Sequence, residues 1–169
     1  MKKQIPSKNY VILFVVILLT VLAVFYARNW YLMAKEYSSG NSPMLKVISE
    51  INPDEIGNYT MESPRFILYT SSGLNSDIKG FESSFKNYVI DKNLSGNMVY
   101  INTANIDLDN FNNKLKSYSI SNNEMNSNDN VTMYIFINGK ITKVINDAND
   151  LTIKKIDKIF KKYGILDNA

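Results

Sequence analysis

From Tyr10 to Ala27 the chain reads YVILFVVILLTVLAVFYA, with no charged residue and Thr20 as its one interior polar position. At the rise of an α-helix, about 18 such residues span roughly 27 Å, the thickness of a bilayer's hydrocarbon core. Tyr10, Tyr26, Trp30 and Tyr31 flank the stretch as interfacial aromatics do. A cleavable signal would have a shorter apolar core and small residues at the cut. Ala27 could stand at −1, but Phe25 would then fall at −3, and no lipid-accepting cysteine follows. The pattern predicts an uncleaved transmembrane helix over residues 10–27, preceded by a short cytoplasmic tail at 1–9.

Beyond it the pattern changes. Residues 28–43 end in SSGNSP, which reads as a linker. A folded domain is expected over residues 44–169. Leu45 to Ile51 alternates and predicts a half-buried strand. Asn52-Pro53-Asp54-Glu55 opens a helix, with Asn as cap, Pro at the first helical position and Glu three residues after the cap. Pro64 closes it. Phe66 to Thr70 is a continuous apolar run, suited to a central strand buried on both faces. Ser71-Ser72-Gly73 interrupts it. Ile78, Phe81, Phe85 and Tyr88 then recur at spacings of one helical face.

Met98 to Asn102 predicts another strand. Asp107 caps a helix carrying Leu108, Phe111, Leu115 and Tyr118 on one side. Residues 119–130, SISNNEMNSNDN, have no period and are expected to be a disordered loop. Val131 to Ile137 is a strand, Asn138-Gly139 a hairpin turn, and Ile141 to Ile145 the return strand. A last helix from Leu151 to Tyr163 turns Ile153, Ile156, Phe160 and Tyr163 inward, and Gly164 stops it. The predicted order is β-α-β-α-β-α-β-β-α, an α/β domain whose sheet starts parallel and ends mixed.

Charge is divided unevenly. Residues 1–40 hold five Lys or Arg and one acidic residue, whereas residues 41–169 hold fourteen and fifteen. The net charge of +3 therefore belongs to the membrane flanks, and no nucleic-acid surface is expected. Lys2, Lys3 and Lys8 before the span, against Arg28 and Lys35 after it, favour a cytoplasmic N-terminus. The expectation is a single-pass protein of the cell membrane with its C-terminal domain outside. The lysines of the last helix read most simply as a solvated face.

Three segments resemble the thioredoxin superfamily: RFILYTSS with the helix of residues 75–89, VTMYIFINGKITKV, and TIKKIDKIFKKYGI. The resemblance covers residues 45–166. It implies a three-layer α/β/α sandwich around a mixed sheet. Laid on the family pattern, the Cys-x-x-Cys positions fall on Asn75, Ser76, Asp77 and Ile78, and the cis-proline position falls on Val131. The chain has no cysteine and no histidine. Thiol exchange runs through a thiolate, so the family's reaction has no reacting atom here. A cis bond before Val131 would cost about 2.5–4 kcal/mol, so a trans bond is expected.

Other chemistry finds little support. Ser-His and Cys-His pairs and His/Cys zinc sites need absent residue types. Asp107 and Asp109 with Asp147 and Asp150 could offer oxygens to a cation, but they are better explained as caps and surface carboxylates. The seven glycines are dispersed and form no phosphate loop. No enzyme activity, cofactor or metal is expected.

The residues point to a redox-inactive, membrane-tethered module that binds a protein at the cell surface. Its contact region would be Ser71, Ser72, Gly73, Asn75 and Asp77, with the loop before Val131. In the resembled family that edge holds an extended peptide by strand addition. The alternative is a thioredoxin-like accessory subunit of a membrane transport or peptide-export complex, in which the anchor itself makes contacts.

Overall fold

The computed structural model describes residues 7–38, 42–73, 76–119, 131–146 and 151–166, with side chains at 9–31, 42–73, 78–119, 131–146 and 151–166. The chain forms two compact units, residues 1–39 and 40–169.

The first unit contains one helix, α1 (Ser7–Ser38). Within it, Asn9–Tyr31 is long and apolar enough to cross a membrane. Its side chains are exposed all round, from Val11 to Val24 and Phe25. A helix apolar on every side has no aqueous face to offer. Thr20 Oγ1 donates to the Val16 carbonyl at 2.8 Å, so its hydroxyl is satisfied inside the helix. The helix also runs through Arg28 to Ser38, where the sequence suggests a linker.

The second unit opens differently from expectation. Leu45 to Ile51 is not one strand. Pro43–Lys46 is a 3-10 turn, and only Ser49–Glu50 (β1) pairs with the sheet. The Ser42 hydroxyl accepts from the Met44 amide at 3.1 Å, and Pro43 needs no amide partner. The buried residues are Met44, Ile48 and Ile51, spaced four and three apart. That spacing winds the segment, and the apparent alternation never governs it.

The remaining elements follow the expected order. They are α2 (Ile56–Glu62), β2 (Arg65–Ser71), α3 (Ser76–Asp91), β3 (Met98–Asn102), α4 (Leu108–Ser117), β4 (Thr132–Ile137), β5 (Lys140–Ile145) and α5 (Ile153–Lys162). A 3-10 turn at Pro53–Glu55 leads into α2, where Glu55 Oε2 accepts from the Asn52 amide at 2.6 Å.

The five strands lie in the order β1-β3-β2-β4-β5. β1, β3 and β2 are parallel; β4 runs antiparallel to both β2 and β5. The route steps from β1 over β3 to β2, then back to β3. Right-handed crossovers therefore put α2 and α3 on opposite faces.

Two cores result. Ile67, Tyr69, Met98, Tyr100, Met133 and Ile135 face α3 and α5. Phe66, Leu68, Val99, Ile101, Tyr134 and Phe136 face the α2 and α4 side. β2 sits at the centre, and Phe66 to Tyr69 are each at most 2% exposed. Every residue of that run is thus removed from water, each large side chain contributing about 1.5–3 kcal/mol. Asn138 and Gly139, at φ 50° and 72°, turn β4 into β5 in the left-handed conformation that a two-residue hairpin requires.

Candidate functional site

The sheet reverses its winding at the carboxyl end of β2. Connections there lead to β3 on one side, while β4 lies on the other, and such switch points leave a crevice beyond the strand ends. The expected site residues gather here. Ser71 ends β2, Ser72 and Gly73 follow, and all three are buried. Gly73 has φ 66° and its amide donates to Ser71 Oγ at 3.0 Å, so the chain turns sharply off the strand. Asn75 lies outside the described residues. Ser76 and Asp77 have backbone positions in the first turn of α3, with their side chains outside the described set. Ile78 packs on the first core as an ordinary apolar residue.

Val131 is fully buried. Thr70 pairs with Thr132 across β2 and β4, so continued register sets Val131 opposite Ser71. The bond entering Val131 involves Asn130, outside the described residues, as are 120–130 and hence most of the expected polar loop. Thr70 Oγ1 donates to the Thr132 carbonyl at 3.2 Å. The Ser71 carbonyl accepts from the Thr103 amide at 3.1 Å and the Tyr100 hydroxyl at 2.7 Å. The strand end of the turn is thereby held from β3 and from β4.

The lining is made of hydroxyls. Thr70, Ser71, Ser72, Thr103 and Thr132 are all buried. Thr103 Oγ1 and Thr132 Oγ1 have no hydrogen-bond partner among the described residues. A buried hydroxyl left so costs about 1–3 kcal/mol.

Under this end lies a group that the sequence reading missed. Glu82 is 0% exposed on α3, and the Tyr69 hydroxyl donates to its Oε1 at 2.9 Å. Its Oε2 is buried without a partner among the described residues. Burial pushes the Glu82 carboxyl above its ordinary range, opposed by the hydroxyls of Ser71, Tyr69 and Ser42 and by the Lys79 ammonium. Burial, and then the Glu82 charge, raise the Tyr69 hydroxyl. Glu82 and Lys79, 4% exposed, are the buried charged residues among those described. The signal was present: Glu82 falls between Phe81 and Phe85, at a core position of the α3 pattern.

Asp107 caps α4 and accepts from the amides of Asp109 and Asn110, each at 3.1 Å. Asp147 and Asp150 lie outside the described residues, and among those described no three His, Cys, Asp or Glu side chains group as a metal site would need.

No family model and no curated protein matches the chain. Solved structures do. A thioredoxin-fold protein assigned as an oxidoreductase superposes with a TM-score of 0.51 at 10% identity, over 70% of this chain and 97% of its own. Thioredoxin f2 of Chlamydomonas reinhardtii gives 0.51 at 9% identity, over 69% and 95%. The domain has the thioredoxin fold. At such identities the likeness is one of architecture alone. In a thioredoxin fold the β2–α3 turn is the place where a redox pair would stand, and this chain brings to it hydroxyls and no sulfur. The hydroxyls have no imidazole to activate them. What the arrangement offers is a cluster of buried hydroxyls at the strand ends, two of them with hydrogen-bonding capacity left over among the described residues.

Proposed function

We propose that this chain is a redox-inactive thioredoxin-fold module, held in a membrane by α1, that binds an extended segment of a partner protein at the β2–α3 turn. The observation that carries the reading is the pair of buried hydroxyls of Thr103 and Thr132, at a strand end of this fold and without a partner among the described residues. An extended peptide laid beside the segment that enters β4 at Val131 would gain backbone pairing there, since β4 itself is already paired on both sides. The absence of cysteine supports binding without turnover, since no mixed disulfide can form. The lysines before α1's apolar span support a cytoplasmic N-terminus and an external domain.

A photo-crosslinking residue at Asn75 of the full chain, followed by mass spectrometry, tests the proposal. Crosslinks to one protein, weakened by Thr132→Val, are expected. Crosslinks confined to a probe at Leu18 in the span would instead favour an accessory subunit contacted through its anchor. The full chain should not reduce insulin above background, and clear turnover would refute redox inactivity. Protease shaving of intact cells should remove the domain if it faces outward.

A further inference from the structure

Five of the ten residues of α5 are lysines: Lys154, Lys155, Lys158, Lys161 and Lys162. At about 100° per residue they fall within a stripe about 120° wide, opposite the buried Ile156 and Phe160. Lys154, Lys155, Lys158 and Lys162 are exposed.

Helix stability does not account for the stripe. Cations help at a helix C-terminus, which covers Lys161 and Lys162 alone. Lys154 and Lys155 stand in the first turn, at the positive end of the dipole, and that turn holds no acidic residue of its own. Lys158 lies four residues from both Lys154 and Lys162, an arrangement of like charges that weakens a helix. One acid is present, Asp157, and it is engaged: Lys161 Nζ contacts its Oδ2 at 3.0 Å, and the Tyr88 hydroxyl donates to its Oδ1 at 3.1 Å. On the opposite layer Asp54, Glu55 and Glu62 around α2 and Asp107 and Asp109 at α4 outnumber Lys114, Lys116 and Lys140. The domain is polarised across its sheet.

We infer that the α5 face docks on the anionic lipid headgroups of the leaflet from which the domain emerges, an inference that rests on α1 being a membrane anchor. The tether favours this occupant. Ten residues lie between Tyr31, the end of the apolar span, and Ser42, which caps the first turn of the domain. Seven of those are helical. At about 1.5 Å per helical residue and at most about 3.5 Å for each other step, the reach is no more than about 25 Å. A domain of this size is about 35 Å across. It can therefore not leave the region near the surface, where an anionic leaflet attracts lysines over a screening length of about 8 Å. Of its two helical layers, the one with α5 gains by turning to that surface and the one with α2 and α4 loses.

The chain lacks cysteine, so one introduced thiol takes one fluorophore. Asn87 on α3 and Asn113 on α4 are exposed on the two opposite layers. The full-length Asn87→Cys and Asn113→Cys proteins are reconstituted in phosphatidylcholine vesicles with or without roughly 30 mol% phosphatidylglycerol, carrying a headgroup energy acceptor. Transfer from Asn87→Cys should rise at least twofold in the anionic vesicles, and transfer from Asn113→Cys should not. The rise should vanish in about 0.5 M salt and with Lys154→Gln, Lys158→Gln and Lys162→Gln combined. Equal transfer from both labels, or no dependence on lipid charge, would overturn the docking. Salt-sensitive binding to heparin without a response to anionic lipid would overturn it too, giving the face to a polyanion. Release of the chain from neutral vesicles by a salt wash would instead sink the anchor reading, and the docking with it.

Discussion

The Tyr69 hydroxyl donates a 2.9 Å hydrogen bond to Glu82 Oε1, joining the central strand to the helix that follows it through a buried carboxyl. Burial raises the Glu82 carboxyl above its unfolded value. The neutral acid is the form that the folded state prefers, so the stability it confers is complete below the unfolded pKa and is lost as pH rises through the folded one. Urea unfolding of the full chain in detergent should show a lower midpoint at pH 8 than at pH 5. Glu82→Gln, which can still accept from Tyr69, should flatten that difference and raise the midpoint at pH 8. An unchanged pH profile in the variant would mean that Glu82 is not the titrating group.

Thr132→Val separates stability from binding. It removes a buried hydroxyl that has no partner among the described residues and replaces it with a methyl of similar size. Folding should be unchanged or firmer by about 1 kcal/mol. Partner crosslinking from Asn75 should nevertheless fall. A loss of stability above about 1 kcal/mol would show that the hydroxyl is already engaged in the free protein.

Phe85 is the hub of the first core. Its ring lies 5.7 Å from Tyr69, 5.6 Å from Phe81 and 5.8 Å from Tyr88, with Phe160 edge-on at 6.4 Å. Phe85→Ala should cost about 3–5 kcal/mol in denaturant unfolding. It should also loosen the start of α3, seen as faster amide exchange near Ile78.

Gly164 ends α5 at φ 65°, and a Cβ there would meet Arg65 Nη1 at 2.9 Å. Arg65 donates to the Gly164 carbonyl at 3.1 Å. Gly164→Ala therefore adds left-handed strain and displaces the guanidinium. A loss of about 1–2 kcal/mol is expected, and Arg65→Ala beforehand should recover part of it in a double-mutant cycle.

The legible parts of the fold were those where one local pattern dominates. Phe66 to Thr70 could only be a buried strand, and Asn138-Gly139 could only be a tight reversal. The α3, α4 and α5 stripes were likewise plain, because each buries one continuous face. Leu45 to Ile51 misled because two apolar periods overlap there, and the Ser42 cap with Pro43 decided between them only once Met44 found the core. At the site, the position of the turn was readable from the run of Phe66 to Gly73. The chemistry was not. Glu82 falls on the buried side of the α3 pattern, but that its carboxyl meets the Tyr69 hydroxyl shows only once α3 is packed on β2. Thr103 and Thr132 show as unsatisfied only when their surroundings are in place, since no local pattern says which hydroxyl will lack a neighbour.

The two cores flanking β2 cohere through apolar packing and buried hydrogen bonds, and a chain without cysteine adds no disulfide to them. Glutathione, dithiothreitol or a disulfide isomerase finds nothing here to open or close. The folded domain is accordingly indifferent to the oxidising or reducing character of whichever compartment it occupies, and a midpoint of unfolding measured with or without reductant should be the same.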